Sequence, residues 1–230
     1  NGVNTKYFSN NKELNFKQTY YWTDIDNNKY SKLQDFAEHF LEKCHLSKMI
    51  TKYVVLNEST KSLMVLRPYQ YYAVEAIIKR VESNSMKNGY IWHTTGSGKT
   101  LTSFKASQIL ATNKDIEKVI FCVDRQDLDF NTMKEFEAFS PGSVSSTSNT
   151  DQLYKQLVDS KTRILITTIQ KLNHLVRNDK YKKESIRNKR MVFIFDECHR
   201  SHFGESHARI NEFFTRSEEH TSELQSPLII

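Results

Sequence analysis

Apolar residues along this chain recur with two different patterns. Over 31–44, Leu33, Phe36, Ala37, Phe40, Leu41 and Cys44 fall at i, i+3, i+4, i+7, i+8 and i+11, the spacing of one helical face. Ser31 and Gln34 offer a capping box at its start. Two short apolar runs, 53–56 and 63–66, flank the polar stretch 57–61 and predict a hairpin. Pro68 suits the first turn of a helix, whose apolar face runs through Tyr72, Val74, Ala76 and Ile77 to Val81. Four later runs, 90–92, 118–123, 163–167 and 191–195, are apolar without alternation. Such runs mark strands buried on both faces of a parallel sheet. Helices are expected between them at 101–110, 127–139 and 151–158, and a Ser/Thr-rich loop at 140–150. Strand and helix thus alternate, predicting an α/β fold with a central parallel sheet. The linker with its amphipathic helix is expected to span 1–60 and the sheet-bearing lobe 61–215.

The candidate chemistry sits where two of these strands end. The run 90–92 leads into His93-Thr94-Thr95-Gly96-Ser97-Gly98-Lys99-Thr100, and a helix follows. Strand, glycine-rich loop, helix is the context of a phosphate-binding P-loop. Gly96 and Gly98 let the backbone close around an anion, and the helix N-terminus adds its partial positive charge. Lys99 supplies a full cation for the β- and γ-phosphates, and the Thr100 hydroxyl is placed to hold Mg²⁺. His93 stands where the pattern G-x-x-x-x-G-K-[ST] has its first glycine. The run 191–195 leads directly into Asp196-Glu197-Cys198-His199. Asp196 would hold Mg²⁺ across from Thr100, and Glu197 would orient and polarise the attacking water. Asp124, Arg125 and Gln126 follow the run 118–123, at the end of the sheet where such folds place their sites.

Other groupings point to less. Asp24 and Asp26 read as a solvated turn, since no further carboxylate or His follows at ligand spacing. Cys198, His199, His202 and His207 fit no zinc pattern with two paired ligand clusters, so no zinc is expected there. The segment 178–190 carries six Lys and Arg against Asp179 and Glu184 and reads as a solvated loop, with a phosphate-contacting patch as the alternative.

Composition narrows the class. The chain has 230 residues, 38% of them hydrophobic and 26% charged, so a sizeable core is possible. Its 33 Lys and Arg outnumber 27 acids, for a net charge of +6, which suits nucleic acid without demanding it. Three cysteines, far apart and with no CxxC, read as thiols of a reducing compartment. No apolar run reaches the length of a membrane span. The missing initiator Met suggests a fragment.

Taken in order, Arg67-Pro68-Tyr69-Gln70, the P-loop, Val123-Asp124-Arg125, Thr167-Thr168-Ile169-Gln170 and Asp196-Glu197-Cys198-His199-Arg200-Ser201 resemble the motif series of superfamily 2 motors. With Trp92-His93 before the loop and Arg200-Ser201 after the box, the chain is similar to the motor (R) subunit of type I restriction enzymes, over roughly 22–205. The resemblance implies a RecA-like P-loop lobe preceded by a helical linker. It implies that Arg67, Gln70 and Thr95 to Thr100 bind ATP, Gln70 reading the adenine edge with its amide, and that Thr100 and Asp196 hold Mg²⁺ while Glu197 serves catalysis. The complete protein would be an ATP-dependent translocase on double-stranded DNA and an endonuclease. It would work with methyltransferase (M) and specificity (S) subunits in a bacterial or archaeal cytoplasm. The family's nuclease carboxylates would lie upstream and the second motor lobe, with its arginines, downstream. Residues 216–230 do not resemble the family and are expected to be a non-native tail, read as adapter sequence. Another superfamily 2 motor, or a nucleotide-binding module without catalysis, are the competing readings.

Overall fold

The computed structural model describes residues 2–9, 19–83, 89–94, 96–123, 126–139, 144–146, 149–181, 186, 189–196, 203–214 and 218–220. The helical stripe expected over 31–44 is split in two. α1 spans Leu33–His39 and α2 Lys43–Lys48, continued by a π-helical turn, Met49–Tyr53. The capping box at Ser31 and Gln34 does not form; Lys32 is the N-cap of α1 and makes no side-chain cap. The break falls where Glu42 caps α2, its carboxylate accepting from the His45 N–H at 2.8 Å. A cap of this kind is worth about 1 kcal/mol, and it favours restarting the helix. The turn also places Phe40 in an aromatic cluster, stacked on Tyr7 at 5.0 Å and 4.9 Å from Trp22. Asp24 does form a turn, accepting from the Asn28 backbone and side chain at 2.8 and 2.9 Å.

β1 (Val55–Asn57) and β2 (Ser62–Met64) pair as the expected antiparallel hairpin. The boundary expected between residues 60 and 61 falls inside its turn. Linker aromatics Tyr7, Trp22 and Phe40 share one hydrophobic core with α3 (Pro68–Glu82) and with the sheet. The described linker therefore packs into the same core as the lobe.

The sheet is built from β3 (Lys118–Val123), β4 (Val144–Ser146), β5 (Ile164–Thr168), β6 (Met191–Phe195) and β7 (Glu218–His220). Its order is β4-β5-β3-β6-β7, and every pairing is parallel. All residues of β3, β5 and β6 are buried, because helices cover both faces. Successive residues then enter opposite cores. Val119, Phe121 and Val123 join one core with α3 and α4 (Lys99–Ala111), while Ile120 and Cys122 join the other with α6 (Thr150–Val158) and α7 (Ile169–Arg177). α5 (Gln126–Phe139) and α8 (Phe203–Phe213) complete the helices named here. No described helix is long and apolar enough to cross a membrane.

Three expectations change. The run 90–92 is not a strand: Tyr90 is 66% and Trp92 44% exposed, and 89–94 carries no sheet pairing. The place beside β6 is taken by β7, which lies in the segment expected to be a tail. α7, β4 and α8 were not anticipated. α7 was legible in principle, since Ile169, Leu172, Leu175 and Val176 are its buried face and the Thr168 hydroxyl caps it.

Basic side chains tie the layers at the end opposite the P-loop. Arg163, just before β5, donates to the carbonyls of Ala111, the last residue of α4, and of Asn113 just past it. Arg190, just before β6, donates to the Val81 carbonyl near the end of α3 at 2.8 Å. Both meet the negative end of a helix dipole. The Lys118 ammonium, fully buried at the start of β3, donates to the carbonyls of Asp159 and Thr162.

Lys105 ties α4 to the linker. Only 5% exposed, it donates to the Val54 carbonyl at 3.1 Å and to Gln108 Oε1 at 2.8 Å. Burial pushes its amine down from 10.5 to about 8. Between these values the unfolded chain binds a proton the folded chain does not, so this group's contribution to stability grows as pH rises from 8 and is lost as pH falls back. At 1.36 kcal/mol per unit, the full span is worth up to about 3 kcal/mol. Urea denaturation of wild type and Lys105→Met at pH 8 and 9.5 reads it: the wild-type stability, relative to the variant, is expected to rise with pH. A constant difference would show that Lys105 titrates normally.

Candidate functional site

The P-loop opens α4. Gly96 and Gly98 both have positive φ, 74° and 80°, which only glycine adopts without strain. Gly98 is the N-cap of α4, with Lys99 and Thr100 in its first turn. A Cβ at Gly96 would point into open space, whereas one at Gly98 would lie 2.5 Å from Gln70 Nε2. The loop therefore leaves room on one side and is in close contact with α3 on the other.

That contact is a set of hydrogen bonds. Arg67 is the N-cap of α3, Pro68 is its first residue, and Gln70 Oε1 accepts from the Arg67 N–H at 2.9 Å. Gln70 is 3% exposed, and its amide donates to the carbonyls of Ser97 and Gly98 at 3.0 and 3.3 Å. The Tyr69 hydroxyl donates to the same Ser97 carbonyl at 2.7 Å. Within the loop, the Ser97 N–H bonds the Thr94 carbonyl at 3.1 Å. His93 is 2% exposed, with Nδ1 3.1 Å from Ser97 Oγ and its ring edge-on to Tyr69 at 5.8 Å. Burial, and then the charge of Lys99, push its pKa down to about 4. The imidazole is thus neutral at physiological pH and fills the position where the P-loop pattern has its first glycine.

A cavity of about 650 Å³ brings most of the expected residues together. Residues 96–100 line it, with Arg67 and Gln70, and residues 62–65 of the hairpin and Tyr20 of the linker line it too. Asp196 is not part of this lining. It follows β6 directly, half-buried, with its N–H bonded to the Cys122 carbonyl at 2.9 Å. Thr95, Asp124, Arg125, Glu197 and the residues 198–202 lie outside the described residues, as does the side chain of His207. Among the described residues no three His, Cys, Asp or Glu cluster as a metal site. Sequence reasoning missed Tyr69, Tyr20 and the hairpin as parts of the site. Tyr69 stood inside the quoted Arg-Pro-Tyr-Gln run, but Tyr20 is 47 residues from Arg67, its partner, and gave no signal.

The Gly98–Gln70 contact is testable. Gly98→Ala places a residue at positive φ, costing about 1–3 kcal/mol, and displaces a buried amide from its partners. Gln70→Ala removes the contact but not the strain. In a double-mutant cycle by urea denaturation the two changes are expected to be non-additive by more than about 0.5 kcal/mol, and strict additivity would show that they do not meet.

Comparison with known proteins accords with this geometry. The SWI2/SNF2 ATPase family matches residues 69–219. A type I restriction enzyme endonuclease subunit from Staphylococcus saprophyticus is 50% identical over 219 residues, covering 95% of this chain and 23% of that subunit. Among solved structures, the SWI2/SNF2 ATPase core of Sulfolobus solfataricus in complex with double-stranded DNA superposes with a TM-score of 0.54 at 15% identity, over 78% of this chain and 34% of that one. The Type ISP restriction-modification enzyme LlaGI, with a DNA substrate mimic, superposes with a TM-score of 0.52 at 20% identity, over 72% of this chain and 18% of that one. The fold is thus that of a RecA-like lobe, and the chain spans about a quarter of the length of its staphylococcal relatives. It belongs to the endonuclease subunits of type I restriction enzymes, as a stretch that carries their SWI2/SNF2-type ATPase lobe.

Proposed function

We propose that this lobe binds Mg·ATP and that the complete subunit uses ATP hydrolysis to move along double-stranded DNA before cutting it. The observation that carries the reading is the P-loop itself: two positive-φ glycines open a helix with Lys99 and Thr100 in its first turn, at the wall of a cavity large enough for a nucleotide. The residues present fit the group. The loop's side away from α3 is open at Gly96, and the helix N-terminus favours negative charge. Lys99 would hold the β- and γ-phosphates, and Gly96 to Gly98 and Thr95 would line the phosphate path. Thr100 and Asp196 would be the Mg²⁺ ligands, and the ion would neutralise charge that develops on the transferred phosphoryl group. Glu197 would accept a proton from the attacking water. Arg67 and Gln70 would close the base side, Gln70 reading the adenine edge once its amide leaves the Ser97 and Gly98 carbonyls. The DNA and the methyltransferase and specificity subunits are the partners that membership of this family supports, in the cytoplasm.

Two measurements test the reading. Lys99→Ala is expected to weaken Mg·ATP binding by about 1.5–3 kcal/mol, the range for a charge-assisted hydrogen bond, and equal calorimetric affinity in wild type and variant would sink it. In the complete subunit, Glu197→Gln is expected to keep ATP binding and lose turnover by about 10²–10⁴, the span of general-base catalysis. Normal phosphate release from that variant would move the base elsewhere.

A further inference from the structure

A second cavity, of about 630 Å³, lies against the last two turns of α4, away from the P-loop. The turn before β1, the hairpin and Phe139 of α5 form its other walls. Lys105 lines it while being only 5% exposed. Among the described residues no carboxylate pairs with this amine. Its acceptors are neutral, the Val54 carbonyl at 3.1 Å and Gln108 Oε1 at 2.8 Å, and an ammonium has three N–H groups to place. A cation buried against neutral groups is costly, and the cheaper state is the free amine. Burial accordingly pushes Lys105 down to about 8.

The cavity is suited to a neutral occupant. Its two other charged residues are matched elsewhere, Lys52 with Glu75 at 4.0 Å and Glu58 with Lys61 at 2.5 Å. The last turn of α4, the negative end of its dipole, disfavours a bound anion. Val55, Leu56, Ile109 and Phe139 give apolar walls. We propose that Lys105 is a nucleophile and that this cavity admits a small acyl phosphate that acylates it. The amine lone pair attacks the acyl carbon. The bond from that carbon to the phosphate oxygen breaks, phosphate leaves with the electron pair, and the amine nitrogen loses a proton to solvent. The product is a neutral amide, which removes the unbalanced charge. Its remaining N–H keeps the Val54 carbonyl as acceptor. The Gln108 amide, turned over, donates its NH₂ to the new carbonyl, and the acyl carbons meet the apolar walls.

Acetyl phosphate is the probe. At pH 7.5 an amine at about 8 is neutral about a quarter of the time, and one at the ordinary value about once in a thousand. The lower basicity also weakens the nucleophile, as it does for thiols, so part of that ratio survives. The intact chain is treated with acetyl phosphate, and acetylation of each lysine is followed by peptide mass spectrometry. Lys105 is expected to react at least about tenfold faster than Lys61, whose side chain is 69% exposed. Its rate is expected to level off above about pH 8, while the rate at Lys61 keeps rising. In urea-unfolded chain the preference is expected to vanish. A Lys105 that reacts no faster than Lys61 in the folded chain overturns the proposal. So does a preference that survives unfolding, which would belong to the local sequence and not to the cavity. A chain carrying acetyl-lysine at position 105 tests the fit: a cooperative urea transition supports it, and loss of that transition overturns it.

Discussion

The carbonyl oxygen of Ser97 is the point on which the site depends. It accepts from the Tyr69 hydroxyl and from the Gln70 amide, two donors in the first turn of α3. A P-loop has no ladder of its own to hold its shape, yet its amides must converge on one anion. Two of its glycines sit at positive φ, where an untied backbone has many alternatives. Each hydrogen bond contributes about 1 kcal/mol net, and two on one carbonyl restrict the loop to a single arc. The same Gln70 side chain closes the start of α3 through the Arg67 N–H, so the helix and the loop fix each other.

Because α3 holds the loop, whatever holds α3 belongs to the site. At its far end Arg190 reaches the Val81 carbonyl. Along its length Glu75 is paired with Lys48 at 3.0 Å and accepts from the Tyr53 hydroxyl. The Tyr72 hydroxyl donates to the Thr23 carbonyl at 2.9 Å, and Trp22 packs on Tyr71 at 5.4 Å. These are linker residues. The linker also receives Lys105 from α4. So many buried contacts give the linker one packing rather than two, which suits a fixed wall and not a hinge.

The sequence carried the loop better than the topology. The two positive-φ glycines that open α4, with Lys99 and Thr100 in its first turn, were legible because the P-loop pattern has those residue types in that order. β3, β5 and β6 were legible because burial on both faces leaves no alternation to confuse with a helix. The run 90–92 misled because a short apolar stretch before a P-loop looks the same whether or not it joins the sheet, and the neighbour of β6 is settled by long-range pairing with Glu218–His220. The helical stripe at 31–44 misled in another way. Its periodicity was real, but the Glu42 cap, a local interaction, divides it. Tyr20 was hidden because it meets Arg67 only through the fold.

His93 shows how these constraints combine. At its position a glycine would give the loop freedom, and a charged histidine would add to the field that attracts phosphate. The structure does neither. Burial beneath the loop keeps the ring neutral, and the nearby Lys99 charge acts in the same direction. Its value near 4 leaves it uncharged at neutral pH. Positive charge at the loop therefore rests on Lys99 and the α4 N-terminus, while the imidazole packs against Tyr69 and meets the Ser97 hydroxyl. Ser97 is thus held on its carbonyl by α3 and on its side chain by His93. Shape is supplied by side chains beneath the loop and charge by groups at its rim, and the two are coupled, because the Lys99 charge helps keep the imidazole neutral.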